Sequence, residues 1–321
     1  MRLLDDSDRT RARYADLVTH CESATVYQTS EWLEVWNRLG AEIAFVEVDA
    51  ETMVPFVCHG QGSLRRAYSL PFDTYGGPVT AGSDGPVLFE RAIEPMLVAS
   101  VRVVDFAARM DSKNGAARRV TSHIVDVSKG YAAAAARYTD ANQRLIRQAL
   151  ERGVRVDIMT DAARIDCFHR LHLRTVARYG ARALPRAFFD AVFATLVPAD
   201  LATFYLARRG DEVIAANLVL RLRDRAYDWM WVYDDRFPQL RATNLLIDRA
   251  VRDEAARGAR ELNLGASPND RLGSVRFKQS FGATPFPYTV YAHSVMWVGM
   301  ARQVRSGVNR VGARMRLLAG E

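Results

Sequence analysis

The sequence predicts a mixed α/β (α+β) protein in which one arrangement, a mostly antiparallel sheet flanked by helices, is built twice. Three observations predict it. A chain of 321 residues is long for one hydrophobic core. Its apolar fraction of 49% and charged fraction of 25% are those of ordinary globular domains. Each half runs helix, short apolar strands, a loop rich in glycine or polar residues, helix, strand, with no residue-level repeat. The boundary is expected near residue 125, giving domains over 1–125 and 126–321.

Residues 1–26 are polar with a helical pattern, and Thr29 or Ser30 caps a helix whose Trp32, Leu33 and Trp36 form one apolar stripe. Ala44–Val48 and Met53–Cys58 read as short strands. Leu70–Pro86 carries four glycines and three prolines, including Tyr75-Gly76-Gly77-Pro78. That density excludes regular structure and points to a tight connection beside a site. A helix over Val87–Leu97 and strands over Val101–Phe106 and His123–Val127 follow. A long helix is expected from Tyr131 to Arg152, stopped by Gly153. After the strand Val154–Ile158 come helices over Asp161–Tyr179 and Pro185–Leu196. Ala202–Ala207, Val213–Leu222 and Ala226–Tyr233 are consecutive strands, rich in β-branched and aromatic residues and joined by short turns. Strict alternation puts Tyr227, Trp229, Trp231 and Tyr233 on one face of the last of these. A helix over Thr243–Arg257 and a strand over Glu261–Leu264 resume the pattern. Val304, Val308, Val311, Met315 and Leu318 form the apolar stripe of a terminal basic helix, suited to a membrane surface, to RNA or to the protein's own core.

The net charge of +7 and isoelectric point near 9.5 come almost wholly from arginine. Guanidinium groups suit anionic partners such as RNA, CoA or anionic lipid, although a GC-rich coding sequence yields the same bias. No apolar run reaches the roughly 18 residues of a membrane span, and the acidic opening Asp5-Asp6-Ser7-Asp8 is unlike a secretory leader. Cys21, Cys58 and Cys167 are widely spaced, which fits a reducing compartment, and the chain reads as cytoplasmic. His169 and His172 stand one turn apart on a helix without a third ligand at metal-binding spacing, so neither a metal nor a permanent cofactor is expected. His59 and His123 are isolated and read as structural.

Chemistry concentrates between Ala226 and Tyr291. The strand ending at Tyr233 passes through a polar loop into a helix whose first turn holds Thr243 and Asn244. Free N–H groups and the positive dipole end make such a junction a phosphate cradle. The register Gln239-Leu240-Arg241-Ala242-Thr243-Asn244 is similar to the pyrophosphate loop of GNAT enzymes, Gln/Arg-x-x-Gly-x-Gly/Ala, with Ala242 and Asn244 at the small-residue positions. Downstream, Gly265, Ser267, Gly273, Phe277-Lys278, Phe281-Gly282 and Pro285 resemble the closing signature of FemAB-like proteins, with departures at Asn263 and Ala266. Gln28–Trp32, Leu70–Pro78 and Gln143–Gly153 add three matches in the same order along most of the chain. The sequence therefore resembles the FemAB-like branch of the GNAT superfamily.

That resemblance implies two tandem GNAT-like domains of the acyl-CoA N-acyltransferase type and direct transfer of an acyl or aminoacyl group to an amine. Lys278 would neutralise a donor phosphate or the developing oxyanion, and Phe277 would line the reaction channel. Asp228 or Asp234 is a candidate base on the amine, and Tyr233 a ligand contact at the strand end. Gln239, Arg241, Thr243, Asn244 and Arg276 are the expected donor-binding residues; Tyr75, Gly76, Gly77, Gly265 and Ser267 the expected substrate-binding ones. Asn244 is expected to crowd the CoA diphosphate, whereas Arg236, Arg241, Arg271, Arg276 and Lys278 suit the spaced phosphates of a tRNA end. Aminoacyl-tRNA is accordingly expected ahead of acyl-CoA, with an amine-bearing small molecule or peptide as acceptor. An acyl-CoA enzyme of a small-molecule or polysaccharide pathway, and a silent GNAT-like binding protein, are the alternatives.

Overall fold

The computed structural model describes residues 1–60, 64–72, 74–82, 86–96, 98–113, 117–180, 182–267 and 272–294. The expected terminal helix lies outside them. They pack as two compact units that interleave along the chain: Met1–Ser23, Ala41–Arg118 and Thr289–Ser294 in the first, Ala24–Gly40 and Arg119–Tyr288 in the second. Ala24–Gly40 packs with the second unit and Thr289–Ser294 with the first. Among the described residues no helix is long and apolar enough to cross a membrane.

The first unit opens with β1 (Arg2–Leu4) and α1 (Asp8–His20), the latter capped by the Ser7 side chain. The stretch carrying α2 (Ser30–Arg38) belongs to the second unit. Then follow β2 (Glu42–Glu47), β3 (Thr52–His59), β4 (Arg66–Ser69), β5 (Val79–Thr80), β6 (Val87–Leu88), α3 (Phe89–Ile93), β7 (Ser100–Asp105) and β8 (Met110–Asp111). The sheet runs β1-β2-β3-β4-β7 and then Thr289–Ser294, with β5 on β3 and only β4–β7 parallel. Alternate residues Val54, Phe56 and Cys58 of β3 face a core with Val101, Val103, Phe89 and Tyr291. The helix expected over Val87–Leu97 shrinks to α3, because Val87 and Leu88 are drawn into pairing with Met110 and Asp111.

The second unit continues with β9 (Ala117–Asp126), α4 (Gly130–Ala135), α5 (Asp140–Glu151), β10 (Val154–Ile158), α6 (Ile165–Tyr179), α7 (Arg186–Leu196), β11 (Ala202–Arg209), β12 (Glu212–Leu222), β13 (Arg225–Tyr233), α8 (Ala242–Ala256), β14 (Glu261–Ala266), α9 (Leu272–Gln279) and the first half of β15 (Thr284–Ser294), whose residues from Thr289 belong to the first unit. The single helix expected over Tyr131–Arg152 is two, since the Thr139 hydroxyl accepts the Asn142 amide and starts α5 afresh. The strands lie in the order β9-β14-β13-β12-β11-β10, with β13–β14 the parallel pair. Neighbouring residues show the two faces: Phe204 of β11 meets Phe168 of α6, while Tyr205 belongs to the core cluster built around α8.

One irregularity in this sheet controls the site. β12 and β13 pair Leu218 with Met230 but Val219 with Asp228, so Trp229 is an extra, bulged residue. Strict alternation therefore fails on β13. Tyr227 and Trp229 turn to Tyr27 and Trp32, whereas Trp231 stacks on Phe277 of α9, 5.2 Å away, and Tyr233 packs against the α8 core. A bulge moves every later side chain to the other face, which sequence alternation cannot register.

Candidate active site

β13 and β14 pair in parallel over only three positions, from Arg225–Glu261 to Tyr227–Asn263. Beyond them β13 continues to Tyr233 with no further pairing to β14. Asp228 is the first residue past the last pair. It is 2% exposed, and among the described residues neither carboxylate oxygen finds a hydrogen-bond partner. Burial pushes its carboxyl up to about 7, against the lowering pull of the Lys278 charge and the neighbouring Asn217 amide. Lys278, 3% exposed on α9, donates from Nζ to the Gly265 and Ala266 carbonyls, each at 2.8 Å. Burial brings this ammonium down to about 8, and the Asp228 charge opposes that fall. An acid pushed up and a base pushed down thus feel one another's charge, the pattern by which proteins poise proton transfer near neutrality.

Two residues outside the sequence-based set belong to this cluster. Asn217 is 0% exposed on β12, and its amide nitrogen and oxygen also lack hydrogen-bond partners among the described residues. The signal was an asparagine inside the otherwise apolar run Val213–Leu220. His123, read as structural, is 3% exposed on β9; burial and the Lys278 charge lower its pKa, while the Gly265 backbone raises it.

The other predicted residues are distributed as follows. Gly265 donates its amide to Asn263 Oδ1 at 2.7 Å, and Ser267 Oγ pairs with Ser274 Oγ at 2.9 Å. Phe277 is half-buried between Trp231 and Phe281. Tyr233, at the end of β13, holds the Arg178 guanidinium over its ring at 4.2 Å and accepts from it at 2.7 Å. Asp234 is tied to Arg236 and Arg174, and the Arg236 guanidinium above all holds its carboxyl at about 2. Such a group is a poor base at neutral pH, which separates it from Asp228. His172 Nε2 accepts the Leu184 amide at 2.9 Å and is thereby occupied in packing α6.

At the head of α8, Gln239 and Arg241 are exposed, with Gln239 lending its carbonyl to Arg152; Thr243 is half-buried. Arg241 takes a left-handed conformation, φ +53°, which turns the chain into the helix. Asn244 corrects the sequence reading. Its side chain is 7% exposed and donates inward to Asn142 Oδ1 at 2.8 Å. It therefore points into the interior rather than out from the first turn, where it was expected to crowd a diphosphate. Two of the cations expected to hold tRNA are engaged elsewhere: Arg236 with Asp234 and Glu212, and Lys278 with two carbonyls. Arg241 and Arg276 are exposed, and Arg271 lies outside the described residues.

In the first unit, Tyr75 is 5% exposed and stacks on Phe106 at 4.1 Å. Gly76 pairs with Asp105, and the Gly77 amide donates to Ser69 Oγ at 3.0 Å. A Cβ on Gly76 would overlap the Ser69 carbonyl, so close backbone approach is the reason for glycine there.

Residues 135–279 match the family described as "Acetyltransferase (GNAT) domain". FemX, as a crystal structure, superposes with a TM-score of 0.63 at 12% identity, covering 90% of this chain and 97% of its own. L-PGS from Bacillus licheniformis gives 0.57 at 10% identity, covering 94% and 97%. A tandem GNAT protein from the clavulanic acid biosynthesis pathway gives 0.51 at 12%, covering 91% and 97%. At these identities the likeness is one of fold. No curated protein matches the chain by sequence. Residues 135–279 thus match a GNAT acetyltransferase domain, and the chain shares its overall fold with FemX and with this tandem GNAT protein.

Proposed function

We propose that the protein transfers an acyl group from a phosphate-bearing donor to the nitrogen of an amine, with Asp228 accepting the proton that the amine gives up. The observation that carries this reading is a buried carboxylate, beside Asn217 at the point where β13 and β14 part, that burial poises near neutral pH. The neutral nitrogen attacks the acyl carbonyl, a C–N bond forms, and the bond to the donor's sulfur or oxygen breaks. The N–H proton passes to Asp228. Lys278 keeps Asp228 ionised and ties down the end of β14, and Phe277 walls the channel against Trp231.

The head of α8 is the proposed donor-phosphate site, because the first amides of a helix have no intrahelical acceptors and the dipole favours anions. With Asn244 turned inward, a CoA-type diphosphate fits this reading better than the sequence alone suggested. Aminoacyl-tRNA is the second reading, supported by the exposed Arg241 and Arg276.

The test is turnover of acyl-CoA and charged-tRNA pools with a panel of primary amines, run on wild type and Asp228→Asn. Loss of a positioned base costs typically ~10²–10⁴ in rate. Wild-type transfer from acyl-CoA, lost by about that factor in the variant with donor binding intact, is expected. Equal rates in the two proteins would remove Asp228 from the reaction. Transfer from charged tRNA alone would reverse the order of donors.

A further inference from the structure

Asn142 is 1% exposed near the start of α5 and takes no part in the chemistry described above. Both ends of its amide are used. Oδ1 accepts from Asn244 Nδ2, in the first turn of α8, at 2.8 Å. Nδ2 donates to the Ser280 carbonyl, just past the end of α9, at 3.2 Å. The Ser280 carbonyl also accepts the Thr139 amide at 3.0 Å, so the turn closing α9 is seated on the start of α5. Around that seat the packing is close. Phe281 is fully buried and meets Tyr138 edge-on at 5.3 Å, and a Cβ on Gly282 would come within 2.7 Å of Arg137 Cβ.

We infer that Asn142 is a positioning residue that fixes the helix head proposed to hold the donor phosphate relative to the helix that carries Phe277 and Lys278. The inference rests on the acyl-transfer reading above and adds to it how the two ends of the donor are kept in register. An asparagine suits the task because one planar group presents a donor and an acceptor in opposite directions. A buried amide bonded at both ends also resists rotation, since turning it would leave both partners unsatisfied.

The two halves of the bridge can be cut separately. Asn244→Ala removes the link to α8 and leaves the bond to Ser280. Asn142→Asp keeps an acceptor for Asn244 but sets a carboxylate oxygen against the Ser280 carbonyl, cutting the link to α9. Asn142→Ala removes both. Small misplacements of reacting groups cost up to ~10² in rate. Each single cut is therefore expected to lower kcat about 10- to 100-fold, while the donor dissociation constant from calorimetry changes less than about threefold. The Asn142→Ala/Asn244→Ala double variant should be no worse than Asn142→Ala, because residues of one bridge are not additive. Unchanged kcat in folded variants, or a loss of kcat matched by an equal loss of donor affinity, would overturn the inference. A second readout does not depend on turnover. Binding of coenzyme A, or of charged tRNA if that is what the wild type binds, should slow amide exchange across Lys278–Phe281 in wild type and not in Asn142→Ala. Wild-type protein that binds donor but acylates no amine would refute the acyl-transfer reading, and the exchange comparison would still decide the bridge.

Discussion

Replacing Lys278 by methionine removes one buried charge while keeping the length of the side chain, and its consequence follows from Asp228. In the wild type the Asp228 carboxyl lies near 7, and the Lys278 charge is the larger of the two influences holding it down against burial. An opposite charge close by is worth roughly 1–3 pKa units to a carboxylate. Without it the carboxyl would rise to about 8–10, and its ionised fraction at pH 7 would fall from about one half to between about 9% and 0.1%. If Asp228 must be ionised to take the proton, turnover at pH 7 falls about 5- to 500-fold. The loss should shrink as pH is raised, because a weaker acid is still ionised by alkali. Wild type should rise through about pH 7 as Asp228 ionises and stay high above it; the limb belongs to the coupled pair rather than to a single group. Lys278→Met should move this rising limb upward and reach the wild-type rate only in alkali. Initial rates of amine acylation across pH 5.5–10 (roughly the range in which both groups titrate), with circular dichroism to verify folding, measure both changes. A loss of rate that is the same at every pH would refute the linkage and return Lys278 to a direct role on donor or oxyanion.

Two further predictions concern the scaffold. Arg221 and Glu254 form a buried pair at 2.6 Å between β12 and α8, with Thr203 as a third partner, and removing Glu254 leaves the buried guanidinium only a looser pairing with the exposed Asp200 at 3.5 Å. Glu254→Ala should therefore destabilise the protein by roughly 3–5 kcal/mol in denaturant unfolding, and a change under about 1 kcal/mol would show the pair to be dispensable. Gly76→Ala should destabilise by at least ~1–3 kcal/mol through backbone overlap with Ser69, while leaving the Asp228 pH profile in place; a neutral result would mean that the loop relaxes freely.

The local chemistry of the chain determined its elements and named the candidate residues of its site. Caps, glycines and apolar periodicity located α2, α6, α7 and the run β11–β13, because each depends on residues within a turn or a strand of one another. The ordered matches ending in Phe277-Lys278 and Gly282 carried the resemblance to FemAB-like proteins, whose fold the chain shares with FemX. Tertiary structure decided what those residues face. One bulged residue, Trp229, separated the β13 aromatics onto two faces and left Asp228 on the same side as Trp231. Asn244 looked like an obstacle to a diphosphate until Asn142, 102 positions away, gave its amide a partner in the interior. Asp228 and Asp234 are chemically identical in the sequence, yet burial pushes one up to about 7 while Arg236 holds the other at about 2. Pairing register, burial and long-range hydrogen bonds are sums over residues distant in sequence, so no local window contains them; they set the pKa of Asp228 and the direction of Asn244, and with them the proposed chemistry.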